Sequence, residues 1–135
     1  MKVAVIDGQG GKMGRMIIER IKGANLPCEV TAVGTNSIAT SVMLKAGADI
    51  GATGENPVIV TSRDADVIIG PIGIISADSL SGEITPAMAV AVGQSKAKKL
   101  LLPVNLCNNI IIGTKSATMT MLIEETVEEI AKMLC

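Results

Sequence analysis

The sequence contains no histidine, phenylalanine, tyrosine or tryptophan. Without histidine, acid–base chemistry near neutral pH would fall to Asp, Glu, Lys or Cys side chains with shifted pKa values. Without aromatic rings, the chain has no surface on which the bases of a single-stranded nucleic acid can stack. The formal net charge of −1 and the lack of a basic stripe also argue against a nucleic-acid partner.

Cysteine is scarce, and the apolar runs are short. Cys28, Cys107 and Cys135 form no C-x-x-C pair, which favours reduced thiols in the cytoplasm and argues against a structural zinc site. No charged segment precedes a long apolar stretch, so we expect neither a signal peptide nor a membrane span. A chain of 135 residues is long enough for a sizeable core, and no repeat or linker divides it, so we expect residues 1–135 to form one domain.

The strongest functional signal lies in residues 3–18. An apolar run ends at Asp7, a glycine-rich turn follows, and helical periodicity begins directly after the turn. In such a strand–turn–helix unit, glycines let the backbone approach a phosphate, and the first N–H groups of the helix face the anion. The pattern therefore predicts a nucleotide or phosphate site, although a turn that binds nothing can have the same pattern. The predicted site residues in this unit are Asp7, Gly8, Gln9, Gly10, Gly11, Lys12, Met13 and Gly14.

The spacing of the glycines narrows the kind of site. Gly8, Gly11 and Gly14 fit G-x-x-G-x-x-G, whereas Met13 occupies the third glycine position of the dinucleotide pattern G-x-G-x-x-G. A Walker A loop fits poorly, because Lys12 is followed by methionine rather than serine or threonine. The run G-Q-G-G-K-M-G-R resembles the opening of dihydrodipicolinate reductase, and this resemblance implies that the turn binds NAD(P).

Apolar runs alternate with helical patterns, which predicts a three-layer, Rossmann-like α/β domain with parallel strand order 3-2-1-4-5. We expect strands at 2–7, 28–34, 48–52, 66–70 and 99–104, and helices at 11–22, 38–46, 57–64, from Pro86 onward and at 119–134. Residues 57–64 have strand propensity, but they follow an Asn-Pro helix start and lie too close to the next strand for a parallel crossover. The turn after the fifth strand is also too short for a crossover, so residues 110–113 are predicted to form a sixth, antiparallel edge strand.

The end of the second strand departs from an ordinary NAD site. In an ordinary NAD site, an acidic residue about 20 positions beyond the glycine turn holds the ribose hydroxyls. This sequence has Gly34-Thr35-Asn36-Ser37 at that point, with no carboxylate and no arginine for a 2′-phosphate. Thr35, Asn36 and Ser37 precede a helix, so we expect one of them to cap it, or the group to contact a second phosphate.

Two more segments follow strand ends and are predicted to reach the ligand. The loop at 70–83 lies where the strand order should reverse, and its length suits a binding loop. We assign Pro71, Ile72 and Gly73 from this loop, and Asn105 after the fifth strand, to the ligand site. The other polar residues of the loop, which contact either a ligand or solvent, are Ser76, Asp78, Ser79, Ser81 and Glu83. Cys107 has no identifiable base to activate it, so we interpret it as an unreactive thiol.

The helix that begins at Pro86 is apolar on all sides over residues 86–92. In a three-layer domain one face of such a helix should meet water, so either the long 70–83 loop or a second subunit is expected to cover it. Closed twofold dimers are the commonest oligomers, and we therefore predict a homodimer that pairs through this helix.

The whole chain is similar to a family of short bacterial proteins known only as a domain of unknown function. Four stretches carry the resemblance besides the glycine turn: Gly34-Thr35-Asn36, Gly51-Ala52-Thr53-Gly54-Glu55-Asn56, Gly70-Pro71-Ile72-Gly73 and Pro103-Val104-Asn105. The resemblance implies a Rossmann-like fold and supplies no activity. Because these stretches fall at predicted strand ends, one shared ligand site is expected.

Three functions remain open from the sequence. The first is a nucleotide-binding protein, with NAD(P) as the leading cofactor and a reductase or a sensor as the role. The second is an enzyme of a phosphorylated metabolite, because residues 33–37 are similar to the phosphate-binding G-T-x-x-T segment of methylglyoxal synthase-like domains. That resemblance implies Asp7 as the base, but the catalytic histidine of those domains has no counterpart here. The third is a dimeric module without catalysis.

Overall fold

A computed structural model describes residues 1–104 and 108–135 as one parallel sheet covered by helices on both faces. The strands are β1 Lys2–Asp7, β2 Glu29–Gly34, β3 Ile50–Thr53, β4 Val67–Pro71 and β5 Lys98–Leu102. The helices are α1 Lys12–Gly23, α2 Ser37–Lys45, α3 Glu55–Asp64, α4 Pro86–Gln94 and α5 Met119–Leu134, and a short 3₁₀ turn spans Ile72–Ile75. The strand order β3-β2-β1-β4-β5 confirms the prediction, with all neighbours parallel.

Central strand β1 shows how the two faces divide the core. Its residues Val3 and Val5 pack with α1, α2 and α5, whereas Ala4 and Ile6 pack with α3, α4 and the 3₁₀ turn. Successive strand side chains point to opposite faces, so a strand covered on both sides must be apolar throughout. That requirement is why β1 is a continuous apolar run and ends only at Asp7, the first polar residue at the carboxyl edge.

Residues 57–64 are helical, as the short link to the next strand predicts. The helix α3 starts two residues earlier than expected, because Gly54 rather than Asn56 precedes its first turn. Pro57 then falls within that first turn, where a backbone N–H would have no partner inside the helix. The predicted strands at 48–52 and 99–104 lie at 50–53 and 98–102.

The predicted sixth strand is wrong. Residues 108–117 form turns and irregular backbone, and the sheet ends at β5. Ile110 and Ile112 are 84% and 90% exposed. Gly113 has a φ of +93°, and Thr114 hydrogen-bonds the carbonyl of Ile111, so the segment curls back on itself. The isoleucines favour a strand, but strand propensity depends on a surface to pack against, which this segment does not find.

The helix α4 buries only part of its apolar surface within the chain. Met88, Ala89 and Val92 pack into the core, whereas Val90 is 52% exposed. The chain therefore leaves one apolar side of α4 open, and the homodimer stays a prediction. No helix among the described residues is both long and apolar enough to span a membrane.

Candidate functional site

The glycine turn lies at the carboxyl end of β1, between β2 and β4, where the strand order reverses. In open α/β sheets, ligands bind at this point. The N–H of Gly11 donates to the carbonyl of Gly8 at 2.9 Å and closes the turn. Gly11 has a φ of +71°, and a Cβ on it would lie 2.8 Å from the Cα of Ala39. Only glycine fits there, because both the backbone conformation and the contact with α2 exclude a side chain.

The G-x-x-G-x-x-G spacing is the one that the fold uses. A Cβ on Gly8 would collide with the Thr35 hydroxyl, and one on Gly14 would collide with the sulfur of Met43. A Cβ on Gly10, by contrast, would meet no described residue within 4 Å. Gly8 and Gly14 are thus fixed by packing, as Gly11 is, while Gly10 faces open space.

Asp7 lies inside the turn rather than on its open surface. Its side chain is almost completely buried, with the residue 4% exposed. One carboxylate oxygen accepts the N–H of Gly8 and the other accepts the N–H of Gly14, each at 2.8 Å. Burial raises the pKa of Asp7, the two hydrogen bonds oppose that rise, and the charge of Glu83 adds to it. Both carboxylate oxygens are therefore used to hold the turn against the first turn of α1.

Three other backbone donors of the turn differ from those that Asp7 and Glu83 hold. The N–H groups of Gly10, Lys12 and Met13 have no acceptor among the described residues. Two of them belong to the first turn of α1, where the helix dipole favours an anion. Residues 7–13 also line a pocket of about 350 Å³, to which Met16, Val104 and Met119 contribute from the rest of the described chain. The pocket thus combines a polar backbone surface with apolar walls.

Glu83 closes the side of the turn that faces β2. One carboxylate oxygen, Oε1, accepts hydrogen bonds from the Gln9 N–H (3.0 Å), the Thr35 hydroxyl (2.7 Å) and the Asn36 amide (2.6 Å). Within residues 1–104 and 108–135, the other oxygen, Oε2, shares only the Gln9 N–H, at 3.2 Å. Partial burial works toward a higher pKa, but these hydrogen bonds outweigh it, and the pKa of Glu83 lies below its usual value. Glu83 is therefore held as a carboxylate with one oxygen lightly used.

The loop that carries Glu83 is fixed by its own hydrogen bonds. The Asp78 N–H donates to the carbonyl of Ile84 at 2.7 Å, and the buried Ser79 hydroxyl donates to the carbonyl of Gly73. Asp78, Leu80 and Ser81 all have φ between 55° and 66°. Left-handed backbone in residues other than glycine costs about 1–3 kcal/mol each and persists only where the surroundings enforce it. The loop therefore presents Glu83 in a defined position.

Asn36 links the end of β2 to the glycine turn that follows β1. Its side-chain oxygen caps α2 by accepting the Ala39 N–H at 2.9 Å, as the sequence predicts for this group of residues. Its amide nitrogen donates to Glu83 and to the carbonyl of Gln9. Ser37 is the first residue of α2 and is exposed.

Pro71, Ile72 and Gly73 do not line the pocket at the glycine turn. Pro71 ends β4 and is buried, and the carbonyl of buried Gly73 accepts the Ser79 hydroxyl. Ile72 lines a different pocket, of about 370 Å³, along β5 and α5. Asn105 and Cys107 lie outside the described residues, so their predicted roles stay predictions. Within residues 1–104 and 108–135, no three His, Cys, Asp or Glu side chains come together as a metal ion would require.

Sequence reasoning gave Glu83 no particular role, although a signal was present. The segment after β2 offers a hydroxyl and an amide but no acid, so its donors needed a carboxylate from elsewhere. The 70–83 loop begins at the same edge of the sheet and contains two acids, Asp78 and Glu83. A search of this loop for the acid that is missing after β2 would have singled out two candidates, Asp78 and Glu83.

The fold and the glycine turn define a Rossmann-like α/β domain with a glycine-rich β1–turn–α1 unit. The chain belongs to a family described as a domain of unknown function, DUF3842, whose model matches residues 2–135. This match confirms the resemblance inferred over the whole sequence. No curated protein and no solved structure matches the chain.

Proposed function

We propose that this domain binds a nucleotide through its phosphate groups at the glycine turn, with NAD(P) as the leading ligand. The observation that carries the proposal is the set of free N–H donors at Gly10, Lys12 and Met13. They lie at the N-terminal end of α1 and at the reversal of strand order, where phosphates and ligands bind in related architectures. The residues present therefore fit a pyrophosphate, which needs backbone donors more than it needs a particular side chain.

The pocket supports a ligand larger than phosphate alone. Its volume of about 350 Å³ lies within the range of small-molecule sites. The thioether side chains of Met13, Met16 and Met119 form apolar walls that suit a planar ring, since methionine adapts to irregular shapes. A dinucleotide would place its pyrophosphate on the turn, one half in this pocket and the other half toward Thr35 and Asn36.

The role that follows from binding is either sensing or the cofactor step of a reductase. Asp7 is committed to the N–H groups of the turn, so it is poorly placed to act as a base. That commitment also disfavours the metabolite enzyme, in which Asp7 would be the base. A phosphate at Thr35 and Asn36 would moreover meet the carboxylate of Glu83. The homodimer through α4 remains part of the proposal, supported by the open side at Val90.

Thermal unfolding followed by far-ultraviolet circular dichroism tests the proposal, with NADH, NADPH, ATP and inorganic phosphate as separate additions. A ligand at 100 times its dissociation constant adds about 2.7 kcal/mol, which raises the melting temperature by several degrees. We expect nucleotides to raise it and phosphate alone to have a smaller effect. No rise with any nucleotide would overturn the proposal.

Gly10→Asp is the sharpest variant for the same assay. A Cβ on Gly10 contacts none of the residues that the structure describes, but the introduced carboxylate would repel a phosphate from the free N–H groups. We expect unchanged stability without ligand and a loss of the nucleotide-induced shift. Gly93→Asp adds the same charge on α4, at another position with no close neighbour, and should keep the shift. A full shift in Gly10→Asp would contradict phosphate binding at the turn.

A further inference from the structure

We propose that Glu83 accepts the ribose hydroxyls of the bound nucleotide and thereby selects an unphosphorylated ribose over one that carries a 2′-phosphate. Rossmann dinucleotide-binding domains obtain this acceptor from an acid at the end of β2. In this chain the acid comes from the loop after β4. The inference rests on the proposed function, because it assigns a residue and a preference to the same nucleotide site.

The position of the Glu83 carboxylate carries the argument. It is hydrogen-bonded to Thr35 and Asn36, the first two residues after β2. It is also bonded to the N–H of Gln9, which directly follows the first glycine of the turn. These contacts place the carboxylate between the turn and the end of β2. A ribose attached to a phosphate on the turn would reach this place.

The bonding state of the carboxylate leaves room for a hydroxyl. Oε1 already accepts three hydrogen bonds, whereas among the described residues Oε2 has only the shared contact with the Gln9 N–H at 3.2 Å. An ionised carboxylate has about four acceptor positions on its two oxygens. Glu83 is also only partly buried, so a ligand can approach it. The three protein donors fix the group, and Oε2 is left to accept from the ligand.

Charge gives the expected selectivity. A 2′-phosphate would bring negative charge beside a carboxylate, and Glu83 forms no ion pair within the described residues. Lys12, which also lines the ligand pocket, forms with Arg15 and Lys45 an adjoining groove between α1 and α2, and none of the three pairs with Glu83 among the described residues. If that groove instead received a 2′-phosphate, the preference would be reversed, so the sign of the preference tests the inference.

The experiment measures NADH and NADPH binding by cofactor fluorescence. The chain has no tryptophan or tyrosine, so no protein emission overlaps the cofactor signal. We expect the wild-type protein to bind NADH about tenfold more tightly than NADPH, as the loss of a charged hydrogen bond would produce. Glu83→Gln should weaken NADH binding and bring the two affinities together. Asp64→Asn removes a carboxylate at the opposite edge of the sheet and should leave both unchanged.

A second measurement works on the wild-type protein alone, in case Glu83→Gln folds poorly. ADP and 2′-deoxy-ADP differ only by the hydroxyl in question, and we expect the deoxy compound to bind several-fold more weakly. Equal binding of the two, or tighter binding of NADPH than of NADH, would overturn the inference and leave nucleotide binding intact. Failure of the wild-type protein to bind any of the four nucleotides would overturn both proposals.

Discussion

Two carboxylates hold the glycine turn, one on each side, and they differ in almost every other property. Asp7 ends β1, is buried, and uses both oxygens on the N–H groups of Gly8 and Gly14. Glu83 comes from a distant loop, is partly exposed, and concentrates its hydrogen bonds on one oxygen. The comparison separates an acid that builds the turn from an acid that, in our proposal, takes part in binding.

The two acids also respond to their surroundings in opposite directions. Burial raises the pKa of Asp7, because few donors compensate for the loss of water. Glu83 is less buried than Asp7, and its three hydrogen bonds outweigh the effect of burial, so its pKa is lowered. A carboxylate at the end of a buried strand is thus a cost to the fold, and the turn geometry that it enforces is the compensating gain.

Removal of Asp7 should have the largest effect on stability. Asp7→Ala leaves the N–H groups of Gly8 and Gly14 buried without acceptors, at about 1–3 kcal/mol for each such group. Relief from burying the charge offsets part of this cost, so we expect a net loss of about 2–3 kcal/mol in the free energy of unfolding. Urea denaturation followed by circular dichroism measures it. A loss below about 0.5 kcal/mol would mean that Asp7 does not hold the turn.

Removal of Glu83 should cost the fold less. In Glu83→Ala the donors of Gln9, Thr35 and Asn36 become accessible to water, so we expect a loss of about 1 kcal/mol by the same measurement. Asp64→Ala, which breaks an exposed pair with Lys2, should lose less still. If Glu83→Ala proved as damaging as Asp7→Ala, the distinction between a building acid and a binding acid would fail.

The smallest effect is the pH dependence of stability. The stabilising contribution of Glu83 is present above its unfolded pKa, near the usual 4.5, and is lost as the pH falls through its lower folded pKa. Asp7 behaves oppositely. Its contribution is present below its unfolded pKa, near 3.8, and is lost as the pH rises through its higher folded pKa. As the pH increases from acidic values, the free energy of unfolding should therefore rise less in Glu83→Gln than in the wild type. In Asp7→Asn it should rise more than in the wild type. Parallel curves for the two variants would contradict this assignment.

Local pattern was enough to predict most of the fold. The apolar run of β1, the spacing of Gly8, Gly11 and Gly14, and the stripe of α1 all depend on residues close in sequence. The strand order then follows from short connections and right-handed crossovers. The prediction of a sixth strand at residues 110–113 was wrong because it followed the strand propensity of the isoleucines. The conformation of the segment is instead decided by Gly113 and by the missing packing surface.

The candidate site was predictable only in part. Its backbone donors could be located from the glycine spacing, because a turn and a helix start are local features. The position of Asp7 depends on which way one side chain rotates inside the turn, and the sequence pattern does not contain that choice. Glu83 acts on Gln9 across 74 residues of sequence, and such a contact exists only after β4 has joined the sheet.

That long separation has a consequence for the order in which the protein is made. A chain growing from its N-terminus can form β1, the turn and α1 early, since their contacts are local. It cannot complete the side facing β2 until β4 has been synthesised and the loop has delivered Glu83. We therefore expect nascent chains that end before Glu83 to show no nucleotide-dependent protection from protease, and chains that extend through α5 to gain it. Gain of protection in the shorter chains would show that the turn alone suffices.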